Sequence, residues 1–259
     1  MGEPSVLYSV DQRIARVVLN RPGKRNALHP DMIRELTGIL EQASRDAAVK
    51  IIVLKAEGPA FSAGDDLQYL LQLRGDTYQA NLEDSWRLAQ LFEMMYTCEK
   101  LVIAQVEGPA IAGGCGLAML ADLTYATPAA VFGYTELAIG FVPAIVSPFL
   151  IRKIGAGRAR ELLLTCRRIP ATTALEWGMI HGIFEPGSME KEVSDLAFKL
   201  SETVSAESVR MTKKLLADQW NLSLGDALKL ASEVNARARE TEDCKRGIDA
   251  FLSGTPLKW

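Results

Sequence analysis

Residues 102–143 read VIAQVEGPAIAGGCGLAMLADLTYATPAAVFGYTELAIGFVP, and the fold is decided there. The β-branched, apolar opening Val102-Ile103-Ala104-Gln105-Val106 has the length of a buried strand. Gly108-Pro109 marks a turn, and Gly113-Gly114 leads into an apolar helix predicted over residues 117–121. Glycines at a helix start leave the first N–H groups bare, and these point outward with the positive end of the helix dipole. Such an arrangement suits a negatively charged oxygen. Further on, Glu136 stands among Phe132, Leu137, Ile139 and Phe141, a lone carboxylate in apolar company. Desolvation there raises its pKa and fits it to carry a proton near neutral pH.

A similar unit occurs earlier. Ile51-Ile52-Val53-Leu54 reads as a strand, Gly58-Pro59 as a turn, and Ser62-Ala63-Gly64-Asp65-Asp66 as a helix entry. In this reading Ser62 caps the helix, and Asp65 and Asp66 sit in its first turn. Two strand–turn–helix units can each aim one N–H at a single oxygen, which is how an oxyanion is held.

The 259 residues allow one large domain, or one domain with an appendage. A net charge of −3 gives no sign of a nucleic-acid or membrane surface. Cys98, Cys115, Cys166 and Cys244 form no CxxC pair, so reduced thiols are expected. No apolar run is long enough to span a bilayer, and the expectation is a soluble, cytoplasmic protein. His29 and His181 are isolated, so neither a histidine-based metal cluster nor a Ser/His/Asp triad is visible. The glycine-rich pieces lack the GxGxxG dinucleotide pattern. Cys115, between glycines, reads as a small packing residue rather than a nucleophile.

Four pieces together resemble the enoyl-CoA hydratase/isomerase (crotonase) superfamily, over nearly the whole chain. They are NRPGKRNAL at residues 20–28, FSAGDDL at 61–67, AGGCGLA at 112–118 and FGYTE at 132–136. The resemblance implies an α/β crotonase fold: a spiral of ββα units over residues 1–187 for acyl-CoA binding and catalysis, then a helical trimerisation region over residues 188–259. It implies that the main-chain N–H groups of Asp65 and Gly113 hold a thioester oxygen and that Glu136 is a catalytic acid/base. Lys24, Arg25, Ala27, Ala63, Gly64, Asp65, Leu67, Gly113, Gly116 and Tyr134 are implied to line the CoA substrate. Trimers or hexamers of the chain are implied, with no metal and no cofactor beyond the coenzyme A carried by the substrate. Nucleic acid and membrane are not expected partners.

Gly116 departs from the family pattern, because two-glutamate hydratases carry their other acid there. One carboxylate suits an isomerase that moves a proton from carbon to carbon. Against this, residues 143–149 (PAIVSPF) are similar to bacterial methylglutaconyl-CoA hydratases, which also have glycine at this position. The expected activity is therefore hydration of a short or branched 2-enoyl-CoA such as 3-methylglutaconyl-CoA, with Tyr134 or Ser147 as candidate helpers of Glu136. Isomerisation, thioester hydrolysis and non-catalytic acyl-CoA binding are the alternatives.

Elsewhere the pattern predicts a β-hairpin about Asp11-Gln12, a mobile loop over residues 75–84, and a helix whose stripe Leu82, Trp86, Ala89, Phe92, Tyr96 enters the core. Only helices are expected beyond Pro186-Gly187.

Overall fold

The computed structural model describes residues 3–259. Strands β1 (Val6–Asp11) and β2 (Ile14–Leu19) pair antiparallel. Their turn uses Gln12 and Arg13, both at positive φ (48° and 67°), one residue later than the pattern suggests. Helix α1 (Pro30–Arg45) starts with Pro30 in its first turn. His29 caps it by accepting the Asp31 N–H at Nδ1, 3.3 Å away. Met32, Leu36, Leu40 and Ala43 recur at helical spacing and are buried. Strand β3 (Ile51–Ala56) then runs parallel to β2.

Helix α2 (Leu67–Leu73) follows, capped by Asp66, whose carboxylate accepts the Gln68 N–H at 3.1 Å. Ser62 is therefore not the cap, and Asp65 lies outside the helix. Helix α3 (Tyr78–Thr97) begins inside the segment expected to be a loop, because Thr77 caps it. Phe92 of its stripe is fully buried, but Trp86 is 58 % exposed, so the stripe enters the core only at its C-terminal half.

The central strand β4 (Leu101–Val106) and the short β5 (Ala110–Ile111) lead into helix α4 (Gly113–Leu120), buried along its whole length. Its start at Gly113 is four residues earlier than the apolar run suggests. Strands β6 (Leu123–Ala126) and β7 (Val131–Gly133) follow, then helix α5 (Ser147–Thr165). Gly155 breaks α5 at φ +77°, a conformation that glycine adopts without strain. After β8 (Arg168–Pro170), α6 (Ala171–Glu176) and β9 (Gly182–Ile183), four helices complete the chain. They are α7 (Pro186–Thr203), α8 (Ala206–Asp218), α9 (Leu224–Glu240) and α10 (Glu242–Ser253).

One sheet has the order β1-β2-β3-β4-β6-β9, parallel except for the first hairpin. A second, three-stranded sheet has the order β5-β7-β8. The larger core packs α1, α3, α4 and α5 on one side of the main sheet. On the other side, Met189, Val193 and Ala197 of α7 cover Ile14, Ile51, Val53 and Ile103. Coverage on both faces explains why β3 and β4 read as continuous apolar runs rather than alternating ones. Helices α8, α9 and α10 bury no residue completely. No helix among the described residues is long and apolar enough to cross a membrane.

Candidate active site

The two strand–turn–helix units abut, and glycines set the distance between them. Gly64 has φ +87°, and a Cβ on it would lie 2.7 Å from the Ala112 Cβ. A Cβ on Gly114 would lie 2.4 Å from the Ser62 Cβ. Ser62 belongs to this contact: its hydroxyl donates to the Asn26 carbonyl at 2.8 Å and accepts the Gly64 N–H at 3.3 Å. Asn26, fully buried, ties the loops together. Its amide donates to the Glu57 and Ala60 carbonyls at 2.8 and 2.9 Å, and its Oδ1 accepts the Arg21 N–H at 2.7 Å.

Leu28 then pins the 64–66 segment: its N–H donates to the Gly64 carbonyl at 2.7 Å, and its carbonyl accepts the Asp66 N–H at 3.0 Å. In this ladder the Asp65 N–H points away from Leu28, and among the described residues it meets no acceptor. Ala112, at φ 50°, turns the chain so that Gly113 opens α4, and the Gly113 N–H is likewise without an acceptor. A methyl on Gly113 would lie 3.5 Å from Asp65 Oδ1, so the two donors are neighbours.

Glu136 starts a short 3-10 turn after β7 and is 6 % exposed, with Oε2 buried and unpartnered. Burial pushes its carboxyl above the ordinary range; its own N–H pulls back, and the Asp65 charge raises it further. Asp65 is pushed up to about 6, by burial first and then by Asp84. Asp84 accepts the Tyr69 hydroxyl at 2.6 Å and the Arg87 guanidinium at 3.0 Å. The apolar shelter of Glu136 is not the one its sequence neighbours suggest, since Ile139 and Phe141 are 63 % and 46 % exposed. They line a cavity of about 820 Å³ together with Leu67, Leu70, Leu71 and Asp84. That volume accommodates a small organic group.

Of the two candidate helpers, Ser147 donates its hydroxyl to the Ala144 carbonyl at 2.8 Å. It is spent on its own turn. Tyr134 is 1 % exposed, and its hydroxyl has no conventional partner but adjoins the Cys115 thiol. Burial pushes that thiol up to about 12, which suits packing and not nucleophilic attack. Lys24, Arg25, Ala63 and Leu67 form an exposed rim, whereas Ala27 is buried and accepts Arg21 Nη1 at its carbonyl, 2.6 Å away. Lys24 Nζ donates to the Gln68 amide oxygen at 3.0 Å.

Gly116 is covered. A Cβ there would lie 2.6 Å from Phe92 Cε2 and 2.8 Å from Val146 Cγ1, so no larger side chain fits without rebuilding. The sequence shows the missing glutamate but not what fills its place, because Phe92 and Val146 come from distant segments. The Arg21–Asp66 ion pair at 3.0 Å, which fixes the helix cap beside the site, is likewise not legible in the sequence. Its only signal is an arginine within the 20–28 motif.

Two neighbouring N–H groups without acceptors and a buried carboxyl give this α/β chain groups of the kind that hold an oxyanion and move a proton. The chain belongs to the enoyl-CoA hydratase/isomerase family, whose pattern matches residues 9–259. It is 40% identical to a Thermus thermophilus protein named "Putative enoyl-CoA hydratase", covering 95% of this chain and 97% of that one. A Clostridium acetobutylicum short-chain-enoyl-CoA hydratase is 28% identical, covering 96% and 94%. The crystal structure of an enoyl-CoA hydratase from Shewanella pealeana superposes with a TM-score of 0.93 at 31% identity, covering 98% and 96%.

Proposed function

We propose that the chain is an enoyl-CoA hydratase that adds water to a short or branched 2-enoyl-CoA, with no cofactor beyond the substrate's own coenzyme A. The observation that carries this reading is the buried Glu136 carboxyl, with Oε2 unpartnered and close enough to Asp65 to feel its charge, together with the Asp65 and Gly113 N–H groups that meet no acceptor. The two donors would hold the thioester oxygen as it takes up charge, each contributing on the order of 3 kcal/mol to the enolate. Glu136 would take the proton from water as its oxygen bonds to C3. Lys24 and Arg25, exposed at the rim, would meet the phosphates of coenzyme A. The apolar walls of the 820 Å³ cavity would receive the acyl group. Relatives named as enoyl-CoA hydratases favour water addition.

The filled space at Gly116 favours one competing reading, a double-bond isomerase that uses Glu136 alone. We also infer assembly into trimers or hexamers, since Leu224, Leu228, Phe251 and Leu252 of the terminal helices are 59–86 % exposed. The test of function is a progress curve of enoyl-thioester absorbance with 3-methylglutaconyl-CoA and crotonyl-CoA. Loss of absorbance that disappears in Glu136→Gln supports hydration. No loss with either substrate, and a gain from a 3-enoyl-CoA, supports the isomerase instead.

A further inference from the structure

The carboxyl of Asp65 is unused in the reading above, which employs only its main-chain N–H. Among the described residues this carboxyl has no hydrogen-bond partner and no ion pair. The cap of α2 and the pair with Arg21 both belong to the next residue, Asp66. Asp65 Oδ1 lies 3.5 Å from where a methyl on Gly113 would stand, so the carboxyl hangs beside the second oxyanion donor. The Glu136 carboxyl, 6 % exposed and with an unpartnered oxygen, feels its charge. A thioester oxygen held by the Asp65 and Gly113 N–H groups would place C2 one bond beyond the carbonyl carbon, beside that side chain. C3 and the attacking water would lie farther out.

We propose that the Asp65 carboxyl is the second proton-carrying group of this site, delivering a proton to C2 while Glu136 takes one from water. The proposal rests on the hydratase reading. Water oxygen bonds to C3 and its proton passes to the Glu136 carboxylate. The C2=C3 electron pair moves onto the thioester as an enolate, held by the two N–H groups. The enolate then takes the proton of the Asp65 carboxylic acid at C2 and collapses to the 3-hydroxyacyl thioester. One proton passed from Glu136 to Asp65 restores both groups, so water is consumed and no proton is gained or lost. Asp65, pushed up to about 6 by burial and by Asp84, holds a proton more readily than an ordinary aspartate. The groups that face it are Glu136 and Asp84, the latter held by Tyr69 and Arg87. The carboxyl thereby takes over the labour that no side chain at Gly116 performs.

The experiment compares wild type with Asp65→Asn and Asp65→Ala, which both keep the main-chain donor, and with Asp65→Glu. Two rates are read: hydration of crotonyl-CoA, and exchange of the C2 protons of butyryl-CoA in deuterated water. The expected result is hydration about 100-fold slower in Asp65→Asn and Asp65→Ala at a KM within threefold, with C2 exchange lost and partly restored in Asp65→Glu. Hydration within threefold of wild type in both, or C2 exchange at the wild-type rate in Asp65→Asn, overturns the proposal and leaves the hydratase reading intact. A wild type that exchanges C2 protons through Asp65 without hydrating keeps the proton role and overturns the hydratase reading. A wild type that hydrates neither crotonyl-CoA nor 3-methylglutaconyl-CoA and exchanges no C2 protons overturns both.

Discussion

Glu136 and Gly116 mark two places where the family resemblance expects an acid, and the structure treats them in opposite ways. At Gly116 the space is closed: the Phe92 ring and Val146 stand where even a Cβ would go. At Glu136 the carboxyl is buried, one oxygen lacks any partner, and its pKa is raised. A buried carboxyl with one unpartnered oxygen opposes folding, which is what a group retained for the proposed proton transfer would cost. A glycine sealed by aromatic and β-branched side chains contributes only packing. On the proposed reading, one position carries chemistry and the other carries structure.

The sharpest way to break this contrast is Glu136→Gln, for which turnover should fall about 1000-fold with KM changed little. Steady-state kinetics on crotonyl-CoA checks it. Gly64→Ala comes next, because it strains a left-handed residue and pushes the two donor units apart at Ala112. A loss of about 100-fold in kcat is expected, with a lowered Tm. Gly116→Ala should act on stability instead, costing about 1–3 kcal/mol by overpacking against Phe92, with the residual folded enzyme still active. Chemical denaturation measures that cost, and Gly116→Ala should cost less when introduced into Phe92→Ala than into the wild type.

A pH experiment sharpens the same contrast. A carboxyl whose pKa is higher in the folded chain than in the unfolded one binds more protons when folded. Asp65, at about 6, therefore adds stability that is full below its unfolded pKa near 4 and lost as pH rises through about 6. Relative to Asp65→Asn, the wild type should lose stability between pH 4 and 6.5, as denaturant titrations across that range would register. The smallest effect belongs to Lys24→Ala at the exposed rim, where KM should rise a few-fold in a salt-dependent manner and kcat should hold.

What could be read from the sequence divides along the same line. Strands β3 and β4 are visible because one physical signal dominates each of them: a run of apolar, largely β-branched residues that does not alternate with polar ones. Helix α2 is misplaced because Ser62 resembles a cap but bonds the Asn26 carbonyl, and Asp66 does the capping. Helix α3 begins inside the predicted loop because its polar first turn carries no apolar period, and only Thr77 announces it. Gly64, Gly113 and Glu136 stand out as local motifs, and the structure brings their segments together. The covering of Gly116 was hidden, since Phe92 and Val146 meet it only through the packing of α3 and the start of α5 on α4. The proximity of Asp65 to Glu136 was hidden for the same reason.

The most direct measurement compares turnover and Tm of Glu136→Gln and Gly116→Ala side by side. Glu136→Gln should lose turnover with Tm unchanged or higher, and Gly116→Ala should lose several degrees of Tm while still turning over. Full turnover in Glu136→Gln would contradict the proposed role of Glu136.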